Sequence, residues 1–212
     1  MIPGLLLLAA YLIGAFPTSY VVGRLTRGID LRQHGSGNLG ATNAFRVLGW
    51  RAAMPIFIVD VAKGFLPVHF FPRLDDAGSI TWVLAYGAAA IIGHMFSIYV
   101  GFRGGKGVAT GAGVFLALAP LAALASLVIW TLLVFTTGYV SLASIVSAAS
   151  LPLLIGLTGG GGAVLALSAA LATFVIYAHR ANIGRLRRGA EHRFGRRRAH
   201  GREATQRSER GE

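Results

Sequence analysis

Hydrophobic positions in this chain come in long runs rather than in the periodic stripes of a soluble helix or strand. Residues 2 to 23, 52 to 71 and 80 to 100 are nearly continuous apolar stretches, and a longer tract runs from Val108 to Ala178. A helix that crosses a bilayer needs about 20 such residues, so each of the first stretches predicts one crossing. The long tract is interrupted by Pro120, by the Gly138-Tyr139 pair and by GLTGGGG at 156 to 162. These breakers cut it into four shorter helices. The predicted fold is an all-α polytopic membrane protein with seven transmembrane helices. Its weak member is Val108 to Ala119, which at about 1.5 Å per residue spans only about 18 Å. A five-span model is the alternative.

Charge placement orients these spans. The chain has 20 Lys and Arg against 8 Asp and Glu, and all the basic residues except Lys63 and Arg73 fall in three regions. Arg24 to Arg51 make up the first, Arg103 and Lys106 the second, and the arginines from Arg180 onward the third. The positive-inside rule assigns all three to the cytoplasm, which requires an even number of crossings between Arg103 and Arg180. The first apolar segment lacks a basic leader and is followed by basic residues. It reads as a retained helix with the N-terminus outside, not as a cleaved signal, and the C-terminus is then cytoplasmic. Hydrophobicity collapses after residue 183. Residues 1–183 are therefore expected to form the transmembrane domain, and 184–212 a basic, disordered cytoplasmic tail that lies against anionic headgroups. That tail has no aromatics for base stacking except Phe194, so no nucleic-acid partner is expected.

With 54% hydrophobic residues, the solvent for most of this protein is lipid. Cysteine is absent, which excludes disulfides, thiolate nucleophiles and Cys-based zinc sites. No metal-ligand cluster or cofactor motif is visible, and neither is expected.

The polar breaks concentrate the remaining chemistry. In GSGNLGATNAFR at 35 to 46, the glycines allow consecutive N–H groups to be exposed, and a short helix is predicted to start near Ala41. Ser36, Asn38, Thr42 and Asn43 add neutral donors, and Arg46, one turn after Thr42, offers a bidentate fork. This is the composition of a phosphate cradle. GFRGGKGVAT at 101 to 110 repeats it, with Gly104, Gly105 and Gly107 around Lys106 and a helix predicted from Val108. It is not a nucleotide P-loop, because Gly107 stands where that motif needs Ser or Thr for magnesium. His179 and Asn182 follow the last apolar run and would share a face if the helix persists. Asp60 and Lys63, three residues apart in an apolar helix, read as a mutually neutralising pair, and His94 as a packing histidine.

SGNLGATNAFR at 36 to 46, GHMFSIYVGFRGGKGVAT at 93 to 110 and HRANIGRLRRGAE at 179 to 191 closely resemble the three signature stretches of the bacterial acyl-phosphate:glycerol-3-phosphate acyltransferases, the PlsY family. The resemblance runs in order and spacing to about residue 191 and leaves out the arginine-rich tail. It implies a multi-pass enzyme of the bacterial inner membrane, acting in phospholipid biosynthesis with seven transmembrane helices. Such an enzyme transfers a fatty acyl group from acyl phosphate to the 1-hydroxyl of sn-glycerol 3-phosphate, giving lysophosphatidic acid and phosphate. Matched motif by motif, the implied substrate-binding residues are Ser36, Asn38, Thr42, Asn43, Arg46, Gly105, Lys106, Ser141, His179 and Asn182. Of these, Ser36, Arg46, Lys106, His179 and Asn182 are the implied catalytic set. The expected partners are the two substrates, membrane lipid and the enzyme that supplies acyl phosphate.

The residues agree with that chemistry. Two bound phosphates carry about three to four negative charges, which suits two glycine-rich anion loops. No histidine is followed five positions later by aspartate, so the His-Asp base of other glycerolipid acyltransferases is missing. With acyl phosphate as donor, a departing phosphate oxygen can accept the hydroxyl proton, and the expected mechanism is substrate-assisted. The rival readings are a transporter of phosphorylated metabolites, which seven helices with glycine-rich half-helices would also suit, and a membrane scaffold that recruits partners through its basic tail.

Overall fold

The computed structural model describes residues 2–74 and 79–194. The described chain is helical, with α1 over Ile2–Ala15, α2 Thr18–Arg27, α3 Ala41–Leu48, α4 Trp50–Phe70 and α5 Ile80–Met95. After a loop come α6 Val108–Leu118, α7 Pro120–Thr137, α8 Val140–Leu157, α9 Gly162–Ala178 and α10 Arg180–Arg187. Single 3-10 turns occupy Leu31–Gln33, Phe71–Arg73 and Ile98–Val100.

The breaks fall where the sequence predicts them. Pro120 opens α7, Gly138 closes it in the left-handed conformation at φ 74°, and the glycines of 159 to 161 separate α8 from α9. Five helical spans among the described residues are long and apolar enough to cross a membrane, with α1 and α2 together forming the first. A sixth is reached if α9 and α10, bent by 57° at His179, are counted as one. The short element is α6, at 11 residues. The protein is thus a multi-pass membrane protein.

Helices approach closely where glycine lets them. A Cβ on Gly14 would lie 2.1 Å from the carbonyl oxygen of Ala90, and one on Gly93 would lie 2.2 Å from that of Tyr11, so α1 and α5 pack backbone to backbone. Gly64 and Gly113 do the same for α4 and α6, against Thr110 and Val61. The central core, built from α4 to α9, includes Val68, Met95, Phe115, Leu151, Ile155, Leu171 and Val175. A second core of Leu31, Leu39, Ala44, Leu48 and Ile56 sits beneath α2 and α3. Large apolar side chains such as Leu121, Phe135 and Leu153 point outward, which is the expected arrangement when hydrocarbon is the solvent.

After α9 the chain continues into α10. Gly184, the expected start of the tail, lies inside α10, and the chain beyond that helix folds back onto the bundle. Phe194 N–H donates to the Gly138 carbonyl at 2.7 Å, and the rings of Phe194 and Phe45 lie 4.8 Å apart. The reason is local: Glu191 is buried against basic and hydroxyl groups of the site. Residues 195–212 lie outside the described residues, as do residues 75–78 of the PRLDDAGS connector.

Candidate active site

The first polar loop is shaped from within by Asn43. Its Oδ1 accepts the Ser36 N–H at 2.8 Å, and its Nδ2 donates to the carbonyls of His34 and Leu31 at 3.0 and 3.2 Å. Gly35 is left-handed at φ 64°, and a Cβ there would meet the Asn43 Oδ1 at 2.3 Å, so the loop closes around this side chain. Asn38 Oδ1 accepts the Gly40 N–H at 2.9 Å, and Ser19 Oγ donates to the Leu39 carbonyl at 2.7 Å. Asn43 and the oxygen of Asn38 are thus committed to the loop itself. The hydroxyls of Ser36 and Thr42 make no hydrogen bond among the described residues. Helix α3 starts at Ala41, as predicted, with its first-turn amides at the end of this loop.

The second loop is seated on α5. Gly104 and Gly105 donate their N–H groups to the carbonyls of Met95 and His94, both at 3.0 Å. Gly107, at φ 81°, turns the chain into α6, which begins at Val108 as predicted. The two glycine-rich loops meet, since Leu39, Gly104 and Gly105 line one small void.

The third stretch reaches both. Helix α9 ends at His179 and bends, so the uninterrupted helix that would put His179 and Asn182 on one face is not formed; both are nonetheless buried. His179 Nδ1 lies 2.8 Å from the Val175 carbonyl, which fixes the proton on Nδ1 and leaves Nε2 as an acceptor. Lys106 Nζ donates to Asn182 Oδ1. The other end of the Asn182 amide donates to Glu191 Oε1 at 2.8 Å.

Glu191 is the residue that sequence reasoning missed. Only 7% exposed, it also accepts from Ser141 Oγ at 3.1 Å and from Arg185 Nε at 2.7 Å, and Arg46 lies 4.0 Å away. It therefore joins α3, α8 and α10 at one point and links Arg46, Ser141, Asn182 and, through Asn182, Lys106. Its signal in the sequence was faint but present, as the lone acid between Arg180 and Arg193.

The charges do not balance. Among the described residues, three cations, Arg46, Lys106 and Arg185, share this one carboxylate. Burial first, and the neighbouring Arg185 and Arg46 with it, lower the Lys106 ammonium to a pKa of about 8 against the opposing pull of Glu191. Burial and Arg185 likewise depress Arg46. Burial alone would raise the Glu191 carboxyl, but donors from Asn182, Arg185 and Ser141 hold it below its ordinary value. A partly buried site with surplus positive charge is built for an oxyanion. Among the described residues no three His, Asp or Glu side chains gather into a metal-binding group.

Known proteins share this arrangement of helices and loops. The crystal structure of PlsY, an integral membrane glycerol 3-phosphate acyltransferase, in its glycerol 3-phosphate form superposes with a TM-score of 0.85 at 40% identity, covering 91% of this chain and 96% of that one. Its lysophosphatidic acid form superposes with a TM-score of 0.83 at 39% identity. The glycerol-3-phosphate acyltransferase of Syntrophotalea carbinolica is 47% identical over 190 residues, covering 90% of this chain and 96% of the relative. That of Chlorobaculum tepidum is 40% identical over 224 residues, covering 90% and 97%. The sequence profile described as Glycerol-3-phosphate acyltransferase matches residues 4–189, a range that takes in both glycine-rich loops, His179 and Asn182, and the chain belongs to that family.

Proposed function

We propose that this protein transfers a fatty acyl group from acyl phosphate to the 1-hydroxyl of glycerol 3-phosphate, releasing lysophosphatidic acid and phosphate, at the inner face of the bacterial inner membrane. The observation that carries this reading is the meeting of Arg46, Lys106 and Asn182, from three distant stretches, around one buried carboxylate with positive charge to spare. Family membership and the glycerol 3-phosphate and lysophosphatidic acid forms of the PlsY relative support the choice of substrate.

In the proposed reaction, Arg46 and Lys106 hold phosphates, and the hydroxyls of Ser36 and Thr42 with the first-turn amides of α3 line the donor phosphate. Asn43 keeps that loop in shape, and Gly105 lets the second loop lie flat against α5. His179, whose Nε2 accepts, orients glycerol phosphate through its hydroxyl, and the remaining N–H of Asn182 orients glycerol phosphate or polarises the acyl carbonyl, with Ser141 acting through Glu191. The 1-hydroxyl oxygen bonds to the acyl carbon while the acyl C–O bond to phosphate breaks. A departing phosphate oxygen takes the hydroxyl proton, so the protein needs no base of its own and contributes positioning and charge stabilisation. We assign seven crossings, α6 being the short one shielded by α4 and α7, with the N-terminus outside.

Supplying acyl phosphate and glycerol 3-phosphate to detergent-purified protein tests the reading, with acyl-CoA and acyl-carrier protein as competing donors. Lysophosphatidic acid formed from acyl phosphate is expected. Uptake of glycerol 3-phosphate into proteoliposomes with no product formed would favour a transporter instead.

A further inference from the structure

Behind the GFRGGKG loop, inside the bundle, lies a charged cluster that the proposed reaction does not use. Asp60 and Lys63 sit about one turn apart on α4, 1% and 5% exposed, with Nζ 2.8 Å from Oδ1. Lys63 also donates to the Phe16 carbonyl at 3.0 Å, and Thr18 Oγ1 donates to Asp60 Oδ1 at 3.1 Å. Both of those partners flank the break between α1 and α2. His94 Nδ1, on α5, is 3.9 Å from the same Asp60 oxygen. Burying an ion pair among membrane helices is costly, and apolar side chains of similar volume hold helices together as well or better. Helix packing alone therefore does not account for the cluster.

What the cluster touches supplies the account. The His94 carbonyl accepts the Gly105 N–H at 3.0 Å, and the His94 ring lies so near that a Cβ on Gly105 would be 2.1 Å from Nε2. Phe16, Thr18, Lys63, His94, Gly104 and Gly105 share the lining of one void of about 10 Å³, room for a single water. The cluster is thus the floor on which the loop rests, and Lys106 is the next residue along.

We propose that Asp60, Lys63 and His94 are positioning residues, fixing Gly104 and Gly105 so that the Lys106 ammonium is held where a phosphate arrives. This rests on reading Lys106 as a phosphate-binding group. The ion pair couples the α1–α2 break, α4 and α5 to one loop, so its loss is felt at Lys106 before it is felt in the fold.

The test is a double-mutant cycle in the full-length protein, reading glycerol 3-phosphate affinity and kcat/KM alongside thermal unfolding in detergent. Asp60→Leu combined with Lys63→Met replaces the pair without leaving a charge unpaired. His94→Leu removes the ring under Gly105 and leaves the pair intact, should the first variant fail to fold. Either change should weaken glycerol 3-phosphate binding about fivefold in the wild-type background and less than about twofold when Lys106→Ala is already present. Equal losses in both backgrounds, or no loss in either, would overturn the proposal. If Lys106→Ala alone left affinity and turnover unchanged, the phosphate-site reading would fall and this proposal with it. A loss from Lys106→Ala that is uncoupled from the cluster would sink only the latter.

Discussion

The ammonium of Lys106 donates to the side-chain oxygen of Asn182, 76 residues away in sequence, and the same amide donates onward to Glu191. Asn182 stands between cation and carboxylate, so Lys106 is held in place without being neutralised at contact distance. Its charge stays available to a ligand. A direct Lys106–Glu191 bridge would have made arriving phosphate compete with a carboxylate.

Removing the Lys106 amine should therefore cost a charge-assisted hydrogen bond, worth about 1.5 to 3 kcal/mol. Lys106→Ala is expected to lower kcat/KM at least about tenfold at neutral pH, a loss of about 1.4 kcal/mol. Steady-state kinetics on purified protein check this, and near-full turnover would remove Lys106 from the site.

The depressed Lys106 pKa of about 8 sets a pH dependence. The amine is charged below that value and neutral above it, so its hold on phosphate is complete at low pH and lost as pH rises through about 8. The kcat/KM profile, which reports the free enzyme, should bend downward there. Lys106→Arg keeps its charge throughout the alkaline range and should remove that bend, even if its different shape lowers the plateau. An unshifted alkaline limb in that variant would assign the titration to another group.

Glu191 accepts from three side chains while 7% exposed, so deleting it strands Arg185 and the Asn182 amide. Breaking a fully buried pair costs about 3 to 5 kcal/mol, and because Arg185 is itself a third exposed the loss here falls below that range. Glu191→Ala should lower the unfolding temperature in detergent and reduce kcat/KM at least about tenfold. Glu191→Gln, which can still accept hydrogen bonds, should keep more of both. Equal behaviour of the two variants would mean that the charge, not the bonding, matters.

Truncation separates the tail from the site. Removing residues 195–212 should leave kcat/KM within about twofold, since the family match ends at residue 189 and this deletion keeps Glu191 and Phe194. Stopping at Ala190 should abolish turnover through loss of Glu191. If the shorter deletion alone abolished function, the scaffold reading would gain instead.

The helices and their breaks were legible because Pro120, Gly138 and the glycines of 159 to 161 act locally, as did the starts of α3 and α6 after glycine. The pairing of Asp60 with Lys63 was legible from its one-turn spacing. Other features were set by tertiary contact. Asn43 has the composition of a ligand donor, yet its bonds go to the loop's own backbone, which spacing cannot reveal. The bend at His179 and the return of the chain to Phe194 accompany the burial of Glu191, an acid that composition alone files with a basic tail.

The seam between α4 and α6 offers a test of packing that touches no polar group. A Cβ on Gly64 would lie 2.1 Å from the Thr110 carbonyl oxygen, and one on Gly113 would lie 2.0 Å from that of Val61. Neither backbone can yield without parting the helices, so Gly64→Ala and Gly113→Ala should each destabilise by about 1 to 3 kcal/mol. Gly4→Ala has nothing within 4 Å and gains helix propensity, so its unfolding temperature should hold or rise. Because α6 carries the Lys106 loop at its start, the two seam variants should also lose kcat/KM while Gly4→Ala keeps it. Thermal unfolding and turnover measured on the same preparations decide the matter. Seam variants as stable as Gly4→Ala would show that α4 and α6 do not meet along these glycines.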